Sequence, residues 1–141
     1  MPDEQKDCSC YTFGDAGSSR KMTWRQAKVS CEFNNETLVV IETEEEWEFI
    51  NKRIKDLTDV PNHEWHIGLY KNRSSGKWTW INGKPLTQKI RWQYDPGKNQ
   101  HYAVISNDRP SVSYGTFKSI NGSVQIRWIC EKQTGINTAF Q

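Results

Sequence analysis

The stretch Trp65-His66-Ile67-Gly68-Leu69-Tyr70 (residues 65–70) reads as a central strand. Downstream, Trp78-Thr79-Trp80 alternates two large rings, and Asn82-Gly83 is a strong turn signal. Residues 84–101 are loop-like and basic, with Pro85, Pro96 and Gly97. Tyr102-Ala103-Val104-Ile105 is an apolar strand, residues 106–115 a second polar loop, and Ile126 to Cys130 a closing strand. Upstream of Pro61 the pattern is helical. Thr43 with Glu46 makes a capping box, and Glu44-Glu45-Glu46 fills the first turn, where the helix dipole favours anions. Trp47, Ile50, Ile54 and Leu57 recur at three and four, which predicts an amphipathic helix to about Leu57. Lys52, Arg53 and Lys55 crowd its last turns. Before it, Leu38-Val39-Val40-Ile41 is a short buried strand or extended segment. Earlier still, Thr23 opens another helix with Gln26 as its box partner, and Asn34-Asn35 ends it. Trp24, Ala27 and Cys31 share one face of that helix, so Cys31 points into the core, where a disulfide can form. Cys10 to Phe13 is a short strand, followed by a turn over Gly14 to Ser19.

With 141 residues the chain has one domain's worth of length. Its 35% hydrophobic and 26% charged content is that of a globular, soluble protein. No apolar run approaches the ~18 residues that crossing a bilayer needs. The start Met1-Pro2-Asp3-Glu4 is polar and charged, unlike a signal peptide, so an extracellular chain that begins this way is expected to be a piece of something longer. Seven Trp, five Tyr and five Phe predict a core built from rings, with a few left for a binding surface. Charge is unevenly placed. Residues 1–70 carry 8 Lys/Arg against 14 Asp/Glu, and residues 71–141 carry 11 against 3, so a net −6 meets a net +8. Such asymmetry marks either a face for an oppositely charged partner or two solvated faces of one fold.

The four cysteines, Cys8, Cys10, Cys31 and Cys130, allow three pairings and show no zinc spacing. Three sequons, at Asn35, Asn72 and Asn121, favour a secreted or cell-surface origin and fit disulfide use. His63-Glu64-Trp65-His66 lacks the His-Glu-x-x-His spacing of a helical zinc site, and a His66 packed under the sheet is the expectation. No Ser sits in a Gly-x-Ser-x-Gly elbow and no Gly-rich phosphate loop is present, so no catalytic residues, metal or cofactor are assigned. Basic residues scattered over several loops, with the sequons, argue against nucleic acid.

Taken in order, these residues resemble a C-type-lectin-like domain. The carriers are Cys10-Tyr11, Trp24-x-x-Ala27-x-x-x-Cys31, and Leu38 to Ile41 followed by Glu44-Glu45-Glu46 and Phe49. They continue with Trp65-His66-Ile67-Gly68-Leu69, where His66 holds the Trp position of a Trp-Ile-Gly-Leu motif. Trp78-x-Trp80-x-x-Gly83-x-Pro85-Leu86 and Ile129-Cys130-Glu131 complete the order. The resemblance covers residues 10–132, between a polar lead-in (1–9) and a C-terminal tail (133–141). It implies an α+β fold: two helices flanking antiparallel sheet that joins the termini, and a long loop region over about 84–117 as ligand face. It also implies a Cys31–Cys130 bridge, leaving Cys8 and Cys10 as free thiols, a strained pair, or partners of cysteines in a second chain or in further sequence.

Two departures stand out. Tyr102 and roughly Gly122 hold the positions of the family's second disulfide, so that edge is expected to rely on packing, with Tyr102 filling the gap. Where sugar-binding members carry Glu-Pro-Asn or Gln-Pro-Asp, this chain has Asp95-Pro96-Gly97, and where they carry Trp-Asn-Asp it has about Phe117-Lys118-Ser119. Calcium needs six to eight oxygen ligands, and Asp95 is the one carboxylate left there. The function expected is that of a cell-surface recognition module binding a protein ligand or anionic glycan without calcium, its parent protein membrane-anchored. The alternatives are calcium-independent carbohydrate binding and a structural spacer beside neighbouring modules. Arg91, Tyr94, Lys98 and Tyr114 are the ligand-binding candidates, because Arg and aromatic residues dominate interface hot spots. Trp92 is expected to pack inward, and the acidic helix Glu44–Glu48 to face away from the ligand.

Overall fold

The computed structural model describes residues 9–13, 21–57, 64–86, 92, 96–106 and 116–133. Thr23 and Gln26 close the expected capping box at the start of α1 (Trp24–Phe33): the Thr23 hydroxyl accepts from the Gln26 N–H, and the Gln26 amide oxygen accepts from the Thr23 N–H. Trp24, Ala27 and Cys31 are its buried face. Asn34 caps the end, and Asn35, at φ 64°, turns the chain out of the helix. In α2 (Glu44–Leu57) the Thr43–Glu46 box forms likewise, and Glu46 also accepts from the Glu42 N–H at 2.7 Å. Ile50 and Ile54 are fully buried. The Phe49 ring lies 5.3 Å from that of Tyr11, which seats this helix against the first strand.

The strands are β1 (Ser9–Phe13), β2 (Thr37–Leu38), β3 (Glu64–Lys71), β4 (Trp78–Trp80), β5 (Tyr102–Ser106), β6 (Thr116–Ile120) and β7 (Arg127–Gln133). They join in the order β1-β7-β3-β5-β6, with β2 on β7 and β4 on β3. Pairing β1 with β7 brings the ends of the domain together, as expected. All pairs are antiparallel except β3 with β7, where Trp65 and His66 face Arg127 and Trp128 in parallel register. Strand β6 is not predicted by the sequence: Thr116-Phe117-Lys118-Ser119-Ile120 has no alternation, with Phe117 and Ile120 buried and Lys118 and Ser119 half-buried.

The 65–70 stretch is the centre. Trp65, Ile67 and Leu69 are buried among Val39, Ile41, Ile50, Ile54, Trp80, Ala103 and Ile105. Gly68 is required by a close crossing. A side-chain carbon there would stand 2.9 Å from the Val39 carbonyl oxygen, and the Gly68 N–H donates to that same oxygen. The glycine thus lets the extended 38–41 segment lie directly on β3. Glu131 completes that crossing, its buried carboxylate accepting from the Val40 N–H at 3.0 Å. Gly83, at φ 90°, makes the expected turn after β4.

Candidate ligand face

Cys31 is bonded to Cys130 across 99 residues. The bond lies in a cluster with Trp24, Ala27, Leu38 and Trp128. Cys10 lies in β1, and Cys8 is outside the described residues. At the positions matching the second bridge, the Tyr102 ring occupies the space a side chain on Gly122 would need: a carbon there would stand 3.1 Å from Tyr102 Cε2. The same ring packs 4.8 Å from Trp24, so Tyr102 fills the gap.

Of the positions matching the calcium motifs, Gly97, Lys118 and Ser119 are held by contacts within the chain. The Lys118 ammonium is paired with the Glu64 carboxylate at 3.0 Å. Ser119 Oγ donates to Gln100 Oε1 at 2.7 Å, and the Gly97 N–H donates to both oxygens. Among the described residues no three His, Cys, Asp or Glu side chains come close enough to share a metal ion. Asp95 is outside the described residues. Glu64 and Gln100 belong to no motif. They were missed because their partners lie 54 and 19 residues away.

Of the four ligand-binding candidates, Lys98 is exposed in the turn after Pro96-Gly97. Arg91, Tyr94 and Tyr114 lie outside the described residues. Trp92 is half-buried, 4.9 Å from the Trp78 ring and 6.1 Å from Phe117, so it packs inward as expected. The two charged halves of the sequence interlock in places. Lys84 pairs with Glu42 at 3.6 Å, and Lys118 with Glu64, each a cation of the second half on a carboxylate of the first. Glu44, Glu45 and Glu48 are exposed on α2.

His66 is fully buried, with Nε2 2.7 Å from the Met22 carbonyl oxygen. Burial holds its imidazole down at about 4, against an ordinary value of 6.5, and the Met22 hydrogen bond opposes that only in part. It is the packed histidine the sequence predicted. Asn35 and Asn121 are exposed and Asn72 half-buried. Asn121 Oδ1 accepts from both the N–H and the hydroxyl of Ser123.

The Lectin C-type domain model matches residues 20–132. The chain belongs to the C-type lectin domain family. Over 111 residues it is 34% identical to mouse killer cell lectin-like receptor subfamily B member 1A, an alignment covering 79% of this chain and 44% of that receptor. The chain thus spans about half the length of the curated relatives it matches. Among solved structures, the mouse scavenger receptor C-type lectin carbohydrate-recognition domain superposes with a TM-score of 0.69 at 25% identity, covering 90% of both chains. SPL-2 from Saxidomus purpuratus, described as a Ca2+-independent C-type lectin, superposes at 0.76 with 23% identity, over 90% of this chain and 88% of that one. The C-type lectin fold is therefore shared throughout, two helices on a mixed sheet. Among the described residues no helix is long and apolar enough to cross a membrane.

Proposed function

We propose that this domain is an extracellular recognition module of a cell-surface receptor that binds a protein or anionic ligand, without catalysis and without calcium. The observation that carries the calcium part is the Lys118–Glu64 pair. A cation at this position repels a second cation, and it is already paired with the Glu64 carboxylate. Ser119 and Gln100 spend their oxygens on each other and on Gly97. The disulfide, the three sequons and the receptor relative support the extracellular part. Ligand contact is assigned to Arg91, Tyr94, Lys98 and Tyr114 in the loop region 84–117. Calcium-independent carbohydrate binding is the second reading, favoured by a fold shared with a lectin described in those terms.

A specific ligand at 100 times its dissociation constant stabilises by about 2.7 kcal/mol. A thermal melt in millimolar calcium should therefore coincide with one in chelator. A rise of several degrees that Asp95→Ala abolishes would overturn the reading. Alanine at Arg91, Tyr94, Lys98 and Tyr114 should weaken capture of the surface ligand with the melt nearly unchanged. Loss of binding on charge reversal along Glu44–Glu48 instead would move the face to α2.

A further inference from the structure

A cleft of about 400 Å3 opens between α1, the turn after β3 and the start of β5. That volume lies at the lower end of the roughly 300–1,000 Å3 that small-ligand sites occupy. It shares no lining residue with the Gly97–Gln100–Ser119 cluster or the Lys118–Glu64 pair. Its basic groups come from three separate segments: Arg25 and Lys28 on α1, Lys71 and Arg73 beyond the core of β3, and His101 just before β5. No Asp or Glu among the described residues lines it. Lys28 is paired with Glu32, but Arg25, Lys71 and Arg73 have no ion-pair partner among the described residues.

The backbone that carries these groups is well fixed. The Lys71 N–H donates to the His101 carbonyl at 2.8 Å. In the following turn Asn72 Oδ1 accepts from the N–H groups of Ser74 and Ser75, which locks the loop bearing Arg73. Desolvation, then the Arg73 and Lys71 charges, hold the His101 imidazole below its ordinary range, so the positive field of the cleft is felt by its own members. The remaining lining includes Tyr70 and Tyr102, both half-buried beside Trp24, with ring centroids 5.8 and 4.8 Å from it.

We propose that this cleft binds an anionic saccharide, the sulfate or phosphate ester of a sugar ring. Uncompensated cations in one concavity attract an anion, and the guanidinium fork of Arg73 matches a tetrahedral oxyanion. The half-buried tyrosine rings offer the sugar's apolar face a surface that a bare anion site would not need. The cleft is lined by none of the four residues assigned to the loop face above, so either assignment can fail alone.

The test is a titration of the folded domain with N-acetylglucosamine 6-sulfate, its 6-phosphate and the unmodified sugar, followed by amide NMR shifts. Inorganic sulfate and a hexaglutamate peptide serve as further probes. At least one ester should bind tenfold or more tighter than the unmodified sugar and inorganic sulfate, shifting the amides of Lys71, Arg73 and His101. The two ester arms show which anion is preferred. Lys71→Ala/Arg73→Ala should weaken that binding at least tenfold without lowering the melt, while Lys52→Ala, on α2, leaves it unchanged. Ser74→Ala removes the Asn72 sequon but keeps the turn, since Ser74 donates through its backbone, so the same result is expected with no glycan on the cleft wall. Ester binding no tighter than that of the unmodified sugar, undiminished binding by the double variant, or tighter binding of hexaglutamate would each overturn the proposal.

Discussion

The α1–β7 side of the domain is held by a covalent bond, and the β5–β6 edge by a ring. On the first side Cys31 and Cys130 link segments 99 residues apart. On the second, Tyr102 leans on Gly122 and on Trp24, where other members of the family carry a second bridge. Both devices secure the same cluster, because Trp24 packs with the disulfide on one side and with Tyr102 on the other. They act on different states of the chain. A bridge removes freedom from the unfolded ensemble, whereas a packed ring contributes only once the native structure exists. Reductant should therefore reach one side of the molecule and not the other.

The largest effect expected is on the covalent side. Cys31→Ala/Cys130→Ala should lose up to about 4.7 kcal/mol, the chain-entropy value for a loop of about 100 residues. Domains have only about 5–15 kcal/mol in total, so the denaturant midpoint should fall sharply. Dithiothreitol should do the same to the unmodified protein and nothing further to the variant. A loss under about 1 kcal/mol would mean that packing holds both sides, and the contrast would disappear.

Acid should act at the seam between the two regions. β3 is the strand between β7 and β5, and His66 lies in it, facing Trp128 on one side and Val104 on the other. Its folded value, about 4, lies below the ordinary 6.5. Between those values the unfolded chain binds a proton that the folded chain excludes. The stability tied to neutral His66 is thus complete above pH about 6.5, declines as pH falls, and is gone below about 4, a loss of about 3 kcal/mol. His66→Phe should remove that part of the acid sensitivity. The Met22 carbonyl keeps a partner in this variant, since the Ile126 N–H also donates to it at 2.9 Å. Urea titrations of both proteins at pH 7 and pH 4 measure the difference. Equal acid losses would show that His66 is not the group responsible.

What was legible in the sequence follows the same division. The helices were read to within a residue at the ends that capping boxes define, because Thr23–Gln26 and Thr43–Glu46 are local patterns. Tyr102 and Gly122 could be paired through the family's spacing, and the disulfide likewise. Glu64–Lys118 and Gln100–Ser119 could not, since side chains 54 and 19 residues apart meet only once β3, β5 and β6 are side by side. Strand β6 was lost for a related reason. Its Lys118 and Ser119 are polar but half-buried, engaged by those same distant partners, so local hydrophobicity understates its place in the sheet.

The smallest effects expected are at the ring-held edge. Tyr102→Ala removes the contact with Trp24 and opens the space over Gly122. Full truncation of a buried aromatic costs roughly 3–5 kcal/mol, and Tyr102 is only half-buried, so a loss of about 2 kcal/mol is expected. Tyr102→Phe keeps the ring, and no hydrogen bond ties the hydroxyl to the described residues, so it should stay within about 0.5 kcal/mol of the parent. Gly122→Val tests the other half of the contact. Its Cβ would begin 3.1 Å from the Tyr102 ring edge, closer than ordinary packing allows, and its two methyls would crowd it further. That strain should cost about 1–2 kcal/mol in the parent and largely vanish beside Tyr102→Ala, where the valine fills the emptied space. A double-mutant cycle by denaturant unfolding should therefore return a coupling of about 1 kcal/mol, the same with and without reductant. Additive losses would show that the ring and the glycine are neighbours without being partners, and that something else holds this edge of the sheet.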